Sequence, residues 1–157
     1  MRLSNILVPV AGTSADDAAI RLACQIARQD KAKVLLIFVI EVQRHLPLDA
    51  ENEAQARHAE SVLESAALIA RSAKYPAETE ILQARLAGPA LINEAMERGA
   101  DLIIMGAPHR KLLGDFQLGT TTNYVLKNAA CPVWLCREAL VKGTVGKPAS
   151  PIDRAAV

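Results

Sequence analysis

Three stretches of this chain are apolar without interruption over the length of a strand: Ile6-Leu7-Val8-Pro9-Val10, Val34-Leu35-Leu36-Ile37-Phe38-Val39-Ile40 and Leu102-Ile103-Ile104-Met105. A strand with one wet face alternates apolar and polar residues. A run with no polar residue needs cover on both faces, and that is the setting of a parallel sheet flanked by helices. Between these runs the spacing of apolar residues changes from continuous to helical. Ile20, Leu22, Ala23, Ile26 and Ala27 recur on one side of residues 15–30, with Asp16, Asp17, Arg21, Gln25 and Arg28 on the rest of the circumference. Ala59, Val62, Leu63, Ala66, Ala67, Ile69 and Ala70 do the same in residues 50–73, which Lys74-Tyr75-Pro76 brings to an end.

The remaining elements follow from punctuation. Ala11-Gly12-Thr13-Ser14 supplies a turn and a hydroxyl suited to cap the first helix, whose first turn then carries Asp16 and Asp17 at the favourable end of the helix dipole. Glu78-Thr79-Glu80-Ile81-Leu82-Gln83 alternates loosely and predicts a less buried strand. A helix is predicted to begin at Gly88-Pro89 and stop at Gly99, and another to span residues 120–128 before a last strand, Pro132-Val133-Trp134-Leu135-Cys136. Strands alternating with helices at this spacing predict an α/β domain, an open sheet of five parallel strands with helices on both faces. The domain is expected to occupy residues 1–138. Residues 139–157 lose the apolar period and gain Gly143, Gly146, Pro148, Ser150 and Pro151, the composition of a flexible tail.

Composition excludes several classes of function. Lys and Arg number 18 against 17 Asp and Glu, distributed along the chain, so neither nucleic acid nor an anionic membrane is an expected partner. No stretch approaches the ~20 apolar residues that cross a bilayer, so no membrane insertion is expected, and the opening residues lack the pattern of a secretory signal. Three cysteines, Cys24, Cys131 and Cys136, are an odd number, which predicts reduced thiols and a cytoplasmic location. Cys24 falls on the apolar side of the first helix and reads as core. The spacing of Cys131 and Cys136 does not fit a zinc site, and His45 and His58 have no partners at ligand spacing, so no metal is expected. No Gly-x-Ser-x-Gly elbow, Walker loop or dinucleotide fingerprint occurs.

Ligands of open α/β sheets bind beyond the carboxyl ends of the strands, which directs attention to residues 9–13, 39–41 and 105–122. The last segment holds Gly106-Ala107-Pro108-His109-Arg110-Lys111 and Gly119-Thr120-Thr121-Thr122, where amides and hydroxyls at a helix start could hold an anion. The same residues also read as a turn at Gly106 and a cap at Thr120, and on the residues alone that plainer reading is the stronger.

Several motifs together resemble the universal stress protein family: Ile6-Leu7-Val8-Pro9-Val10, Gly88-Pro89-Ala90, Gly99-Ala100-Asp101-Leu102-Ile103-Ile104-Met105-Gly106, and Tyr124-Val125-Leu126 leading to Cys131-Pro132-Val133. The likeness runs over residues 3–137. It implies a Rossmann-like, flavodoxin-like three-layer sandwich of strand order 3-2-1-4-5. Members that bind ATP carry Gly, two residues, Gly, nine residues, Gly and then Ser or Thr, positions held here by Gly106, His109, Gly119 and Thr120, three of which match. The resemblance implies an adenine nucleotide, ATP or AMP, with Mg2+ only through the nucleotide. Gly106, Gly119, Thr120 and Thr121 would meet the phosphates with Arg110 and Lys111 adding charge, and Pro9, Val10, Val39 and Met105 would line the nucleoside. Two departures stand out. Ala11 takes the place of an aspartate that contacts the nucleoside, and His109 puts a side chain where a glycine lets backbone approach phosphate. The resemblance also implies a homodimer through the last strand, with Trp134 either an interface anchor or a core aromatic. Two functions are thus expected to compete: a nucleotide-binding regulatory module of the stress response, and a nucleotide-free dimeric adaptor acting on a transporter or signalling partner. Only His109 and Asp115 could serve as a general base, so at most slow ATP hydrolysis is expected.

Overall fold

The computed structural model describes residues 1–109, 111–112 and 115–139. Strands β1 (Asn5–Pro9), β2 (Lys33–Glu41), β3 (Glu78–Ala84), β4 (Leu102–Ala107) and β7 (Val133–Arg137) form one sheet in the order β3-β2-β1-β4-β7, and every pairing in it is parallel. Four helices cover it: α1 (Ala15–Asp30), α2 (Glu53–Ser72), α3 (Ala87–Glu97) and α4 (Thr120–Asn128). The two remaining strands, β5 (Lys111–Leu112) and β6 (Asp115–Phe116), make a small antiparallel hairpin. The expected five-stranded architecture and strand order are those observed.

Period-two geometry in the uninterrupted runs explains the layers. Ile6, Val8, Val10, Val34, Leu36, Leu102 and Ile104 pack on one face with Ala19, Ile20, Ala23 and Ala27 of α1 and Leu63, Ala66 and Ala70 of α2. Leu7, Leu35, Ile37, Ile103 and Met105 pack on the other with Leu91 and Ala95 of α3 and Val125 of α4. Odd and even residues of each central strand thus feed different cores, which is why no polar residue is tolerated in them. The buried face of α1 is mostly alanine, so this helix lies close on the sheet. A Cβ built on Gly106 of β4 would stand 2.5 Å from the Ala15 carbonyl oxygen and 2.7 Å from its carbon.

Several local expectations need correction. Gly106, read either as a phosphate contact or as a turn after a strand, is paired inside β4 opposite Cys136, and its missing Cβ is what admits α1. The second helix starts at Glu53, not residue 50; Pro47 and Ala50 belong to a turn, and the Asn52 side chain accepts the Gln55 N–H at 3.1 Å as the cap. The third helix starts at Ala87, one residue before the predicted glycine. Ser14 stands at the start of α1 but its hydroxyl caps nothing there, and Asp16, read as solvent-facing, is buried at 8% exposure. The loop after β4 was read as irregular and instead contains the β5–β6 hairpin. Arg110, the side chains of Lys111 and Asp115, and the 139–157 segment beyond its first residue lie outside the described residues. Among the described residues, no helix is long and apolar enough to cross a membrane, and no group of three metal-ligating side chains occurs.

Candidate functional site

The order in which successive strands are added reverses between β1 and β4, the two parallel strands that start connections leading to opposite edges. Open α/β folds leave a crevice at that point. Here it is a cavity of about 360 Å³, within the range of ordinary small-molecule sites. Pro9, Val10 and Ala11 enter from β1, Val39 from β2, Met105 and Gly106 from β4, and Gly119, Thr120 and Thr121 from the start of α4. The three segments singled out in the sequence therefore meet. Also on the wall are Thr13, Asp16, Ile37, Phe38 and Glu41, together with Ala87 and Leu91 of α3. The part played by α3 was missed, because Leu91 carries only a core signal in the sequence.

The walls divide by chemistry. Val10, Ile37, Val39, Leu91 and Met105 offer an apolar slot, while Gly119 to Thr122 offer amides and hydroxyls at the positive end of α4. Gly119 is the N-cap of α4, at φ −68° and ψ 164°, and a Cβ built on it meets nothing within 4 Å. Neither its backbone angles nor its packing requires glycine. Gly106 differs in this respect, since packing against α1 alone accounts for it.

The floor beside β1 is built around Asp16. Its carboxylate accepts the N–H groups of Ala11 at 3.2 Å, Gly12 at 2.8 Å and Thr13 at 3.2 Å, so the β1–α1 loop wraps an internal anion. Burial pushes this carboxyl above its ordinary pKa, and the three amides pull it part of the way back. The sequence hid this role, since an Asp in a first helical turn reads as a surface dipole partner. Ala11 leaves its methyl, with no carboxylate, at the mouth.

His109 is not among the residues lining the cavity. Its ring stacks on Phe116 of the hairpin, centroids 5.5 Å apart at 23°, and its Nδ1 is buried with no hydrogen-bond partner among the described residues. The imidazole, which stands in the sequence where a glycine would let backbone approach phosphate, is thus turned onto the hairpin. The His109 N–H donates to Glu138 Oε1 at 3.2 Å, and the Ser14 hydroxyl donates to Glu138 Oε2 at 2.5 Å. These two donors hold the Glu138 carboxyl below its ordinary range. Glu138, just past β7, thereby joins the loop before α1 to the loop after β4. Glu138→Ala is expected to speed hydrogen exchange at the His109 amide about fivefold while leaving the sheet amides unchanged.

An open, doubly covered parallel sheet with a cleft at its switch point, apolar on one side and rich in amides on the other, defines a three-layer α/β domain with room for a small ligand. The chain belongs to the universal stress protein family, whose family model matches residues 3–137. It is 28% identical over 139 residues to universal stress protein MJ0531 of Methanocaldococcus jannaschii, an alignment spanning 85% of this chain and 81% of that protein. Its fold is similar to the universal stress protein of Archaeoglobus fulgidus, with a TM-score of 0.74 and 21% identity over 84% of this chain and 97% of the other. A second structure of the Archaeoglobus fulgidus universal stress protein, in complex with dAMP, gives a TM-score of 0.69 and 20% identity, covering 86% and 98% of the two chains.

Proposed function

We propose that this domain binds an adenine nucleotide in the cavity at the carboxyl ends of β1, β2 and β4 and acts as a homodimeric regulatory module rather than a catalyst. The observation that carries the reading is Gly119. The fold does not require a glycine there, whereas a ligand drawing its phosphate oxygens against the Gly119 and Thr120 amides would. The apolar slot of Val10, Val39 and Met105 suits a purine, and the Thr120 and Thr121 hydroxyls suit phosphate. ATP and AMP both fit this division, with Mg2+ entering only on the phosphates. The dAMP complex of the Archaeoglobus fulgidus relative supports the choice of adenine nucleotide.

Dimerisation is assigned to the outer edge of β7, which has no neighbouring strand on that side among the described residues. Trp134 there is 40% exposed, and an apolar strand edge of this kind calls for cover. A nucleotide-free adaptor is the second reading, and Ala11 favours it, because the cavity mouth has a methyl where the family resemblance implies a nucleoside-binding carboxylate.

Titration calorimetry with AMP, ADP and ATP in the presence of magnesium separates the two, after mass spectrometry for copurified nucleotide. Micromolar binding supports the sensor, and silence from a folded protein supports the adaptor. Gly119→Ala is expected to leave the melting temperature within about 1 °C and to weaken AMP at least tenfold, because a methyl on the approach path displaces the phosphate. If the affinity of Gly119→Ala equals that of the parent, the phosphates lie elsewhere. Ala11→Asp combined with His109→Gly is expected to strengthen binding, by roughly tenfold for one regained hydrogen bond of about 1.4 kcal/mol.

A further inference from the structure

Helices α1, α2 and α3 end in the same way. In each, a residue in the left-handed region follows the helix, and the next amide reaches back five residues: Ala32 N–H to the Ala27 carbonyl at 3.0 Å, Tyr75 N–H to Ala70 at 3.2 Å and Ala100 N–H to Ala95 at 2.8 Å. In α3 the left-handed position is Gly99 at φ 59°, the residue that geometry favours. In α1 and α2 it is a lysine, Lys31 at φ 58° and Lys74 at φ 56°, and these are the only described non-glycine residues with positive φ. A side chain pays steric strain in that region, and glycine relieves it. The helix dipole does not account for the lysines. Each last turn already holds an arginine, Arg28 in α1 and Arg71 in α2, nearer the terminal carbonyls.

Both lysines lie at the same end of the molecule. The Arg28 guanidinium donates to the Ala73 carbonyl at 2.5 Å, and the Tyr75 hydroxyl donates to the Ala32 carbonyl, so the ends of α1 and α2 are tied together. The Lys33 N–H donates to the Ser4 carbonyl at 2.8 Å and the Leu3 N–H to Asp30 Oδ2 at 2.8 Å, which brings the chain start to the same place. Arg2, Arg28, Lys31, Lys33, Arg71 and Lys74 are all exposed there, and none makes an ion pair with a described residue. Of the carboxylates at this end, Asp30 accepts from a backbone amide, as does Asp101 from Ser4 and Asn5, and Glu78 is exposed. A chain of nearly balanced charge has thus gathered cations at the end opposite the cavity and placed two of them on strained backbone.

We propose that this basic end, centred on Lys31 and Lys74, is a docking surface for an acidic polypeptide segment of a partner protein. Charge complementarity sets the partner's sign. The single aromatic side chain here, Tyr75, turns its hydroxyl inward and is half-buried, so there is no platform for stacking bases or anchoring in lipid. The helices present carbonyl ends, not the amide ends that cradle phosphate. Exposed lysine point charges fit flexible carboxylates.

The test uses the full chain, a fluorescent decaglutamate peptide and the variant Lys31→Gly/Lys74→Gly. Two exposed pairs lost predict about tenfold weaker peptide binding. Relief of two strained residues predicts a melting temperature higher by about 4 °C. Damage to the fold would lower both readings; the proposal requires that they move in opposite directions. Lys31→Arg/Lys74→Arg is expected to retain binding, and Arg57→Ala, near the far end of α2, to leave it unchanged. Equal peptide affinity in the glycine variant overturns the proposal. So does tighter binding by the parent protein of a 20-base-pair DNA duplex or of phosphatidylglycerol vesicles than of decaglutamate.

Discussion

Gly106→Ala is expected to lower the melting temperature by about 9 °C, the largest effect of an added methyl at any of the described glycines. The new Cβ would stand 2.5 Å from the Ala15 carbonyl oxygen, well inside contact, and the atom it meets is backbone at the start of α1. A flexible side chain could swing aside; a helix pinned by Ala19, Ala23 and Ala27 against the sheet can only shift as a whole. Overpacking of this kind costs up to about 3 kcal/mol, and a domain of this size loses about 3 °C per kcal/mol. Thermal denaturation of Gly106→Ala beside Gly119→Ala checks the argument, because the two glycines share a family motif but only Gly106 is pressed against protein. If both variants melt with the parent, the close approach of α1 to β4 is wrong.

Asp16→Ala is expected to cost about 3 kcal/mol, or nearly 10 °C in melting temperature. It leaves the Ala11, Gly12 and Thr13 amides without their shared acceptor beneath the cavity. Asp16→Asn keeps one accepting oxygen and is expected to cost less than half as much. The two variants also differ from the parent in pH dependence. A carboxyl whose pKa is raised on folding binds its proton more tightly in the folded state. Its contribution to stability is therefore full below the ordinary carboxylate range and is lost as pH rises through the raised value. Asp16→Asn has no such group, so between the ordinary carboxylate pKa and the raised one the stability gap between parent and variant should change with pH. A gap constant across acid pH would show that Asp16 titrates as it does in the unfolded chain.

What the sequence discloses of this architecture follows from where each residue's reason lies. The parallel strands were legible because each central strand supplies both cores, and that demand is written in consecutive residues such as Ile103 and Ile104; their order came from the family resemblance. The convergence of residues 9–13, 39–41 and 105–122 was legible for the same reason, since it follows from topology. Asp16 was not, because its meaning depends on three amides arriving from a loop whose path local spacing does not specify. Nor was the role of Gly106. A glycine at the end of an apolar run looks the same whether a phosphate, a turn or a neighbouring helix requires it, and only the distance to Ala15 decides. The β5–β6 hairpin has two residues per strand, too few for any periodicity to register. The lysines at 31 and 74 carry no distinguishing signal in residue spacing; their backbone angles set them apart. The even distribution of charge along the chain likewise gave no sign that folding would collect cations at one end.

The pairing of β1 has a consequence for the order in which the molecule can be built. On one side β1 takes β2, which is synthesised soon after it; on the other it takes β4, whose neighbour Asp101 binds the Ser4 amide across 97 residues of chain. Contacts of such separation form late, because the loop they close must be ordered first. While a ribosome is still making the second half, β1 therefore has one edge unpaired, and the wall of the cavity supplied by Met105 and Gly119 does not yet exist. The binding site is completed only when the two halves of the sheet join. A ligand held by both walls acts after that event and binds only the finished protein, so its presence draws the population toward the closed sheet by mass action. If the proposed adenine nucleotide is that ligand, its abundance would set how much of this protein persists in the folded state.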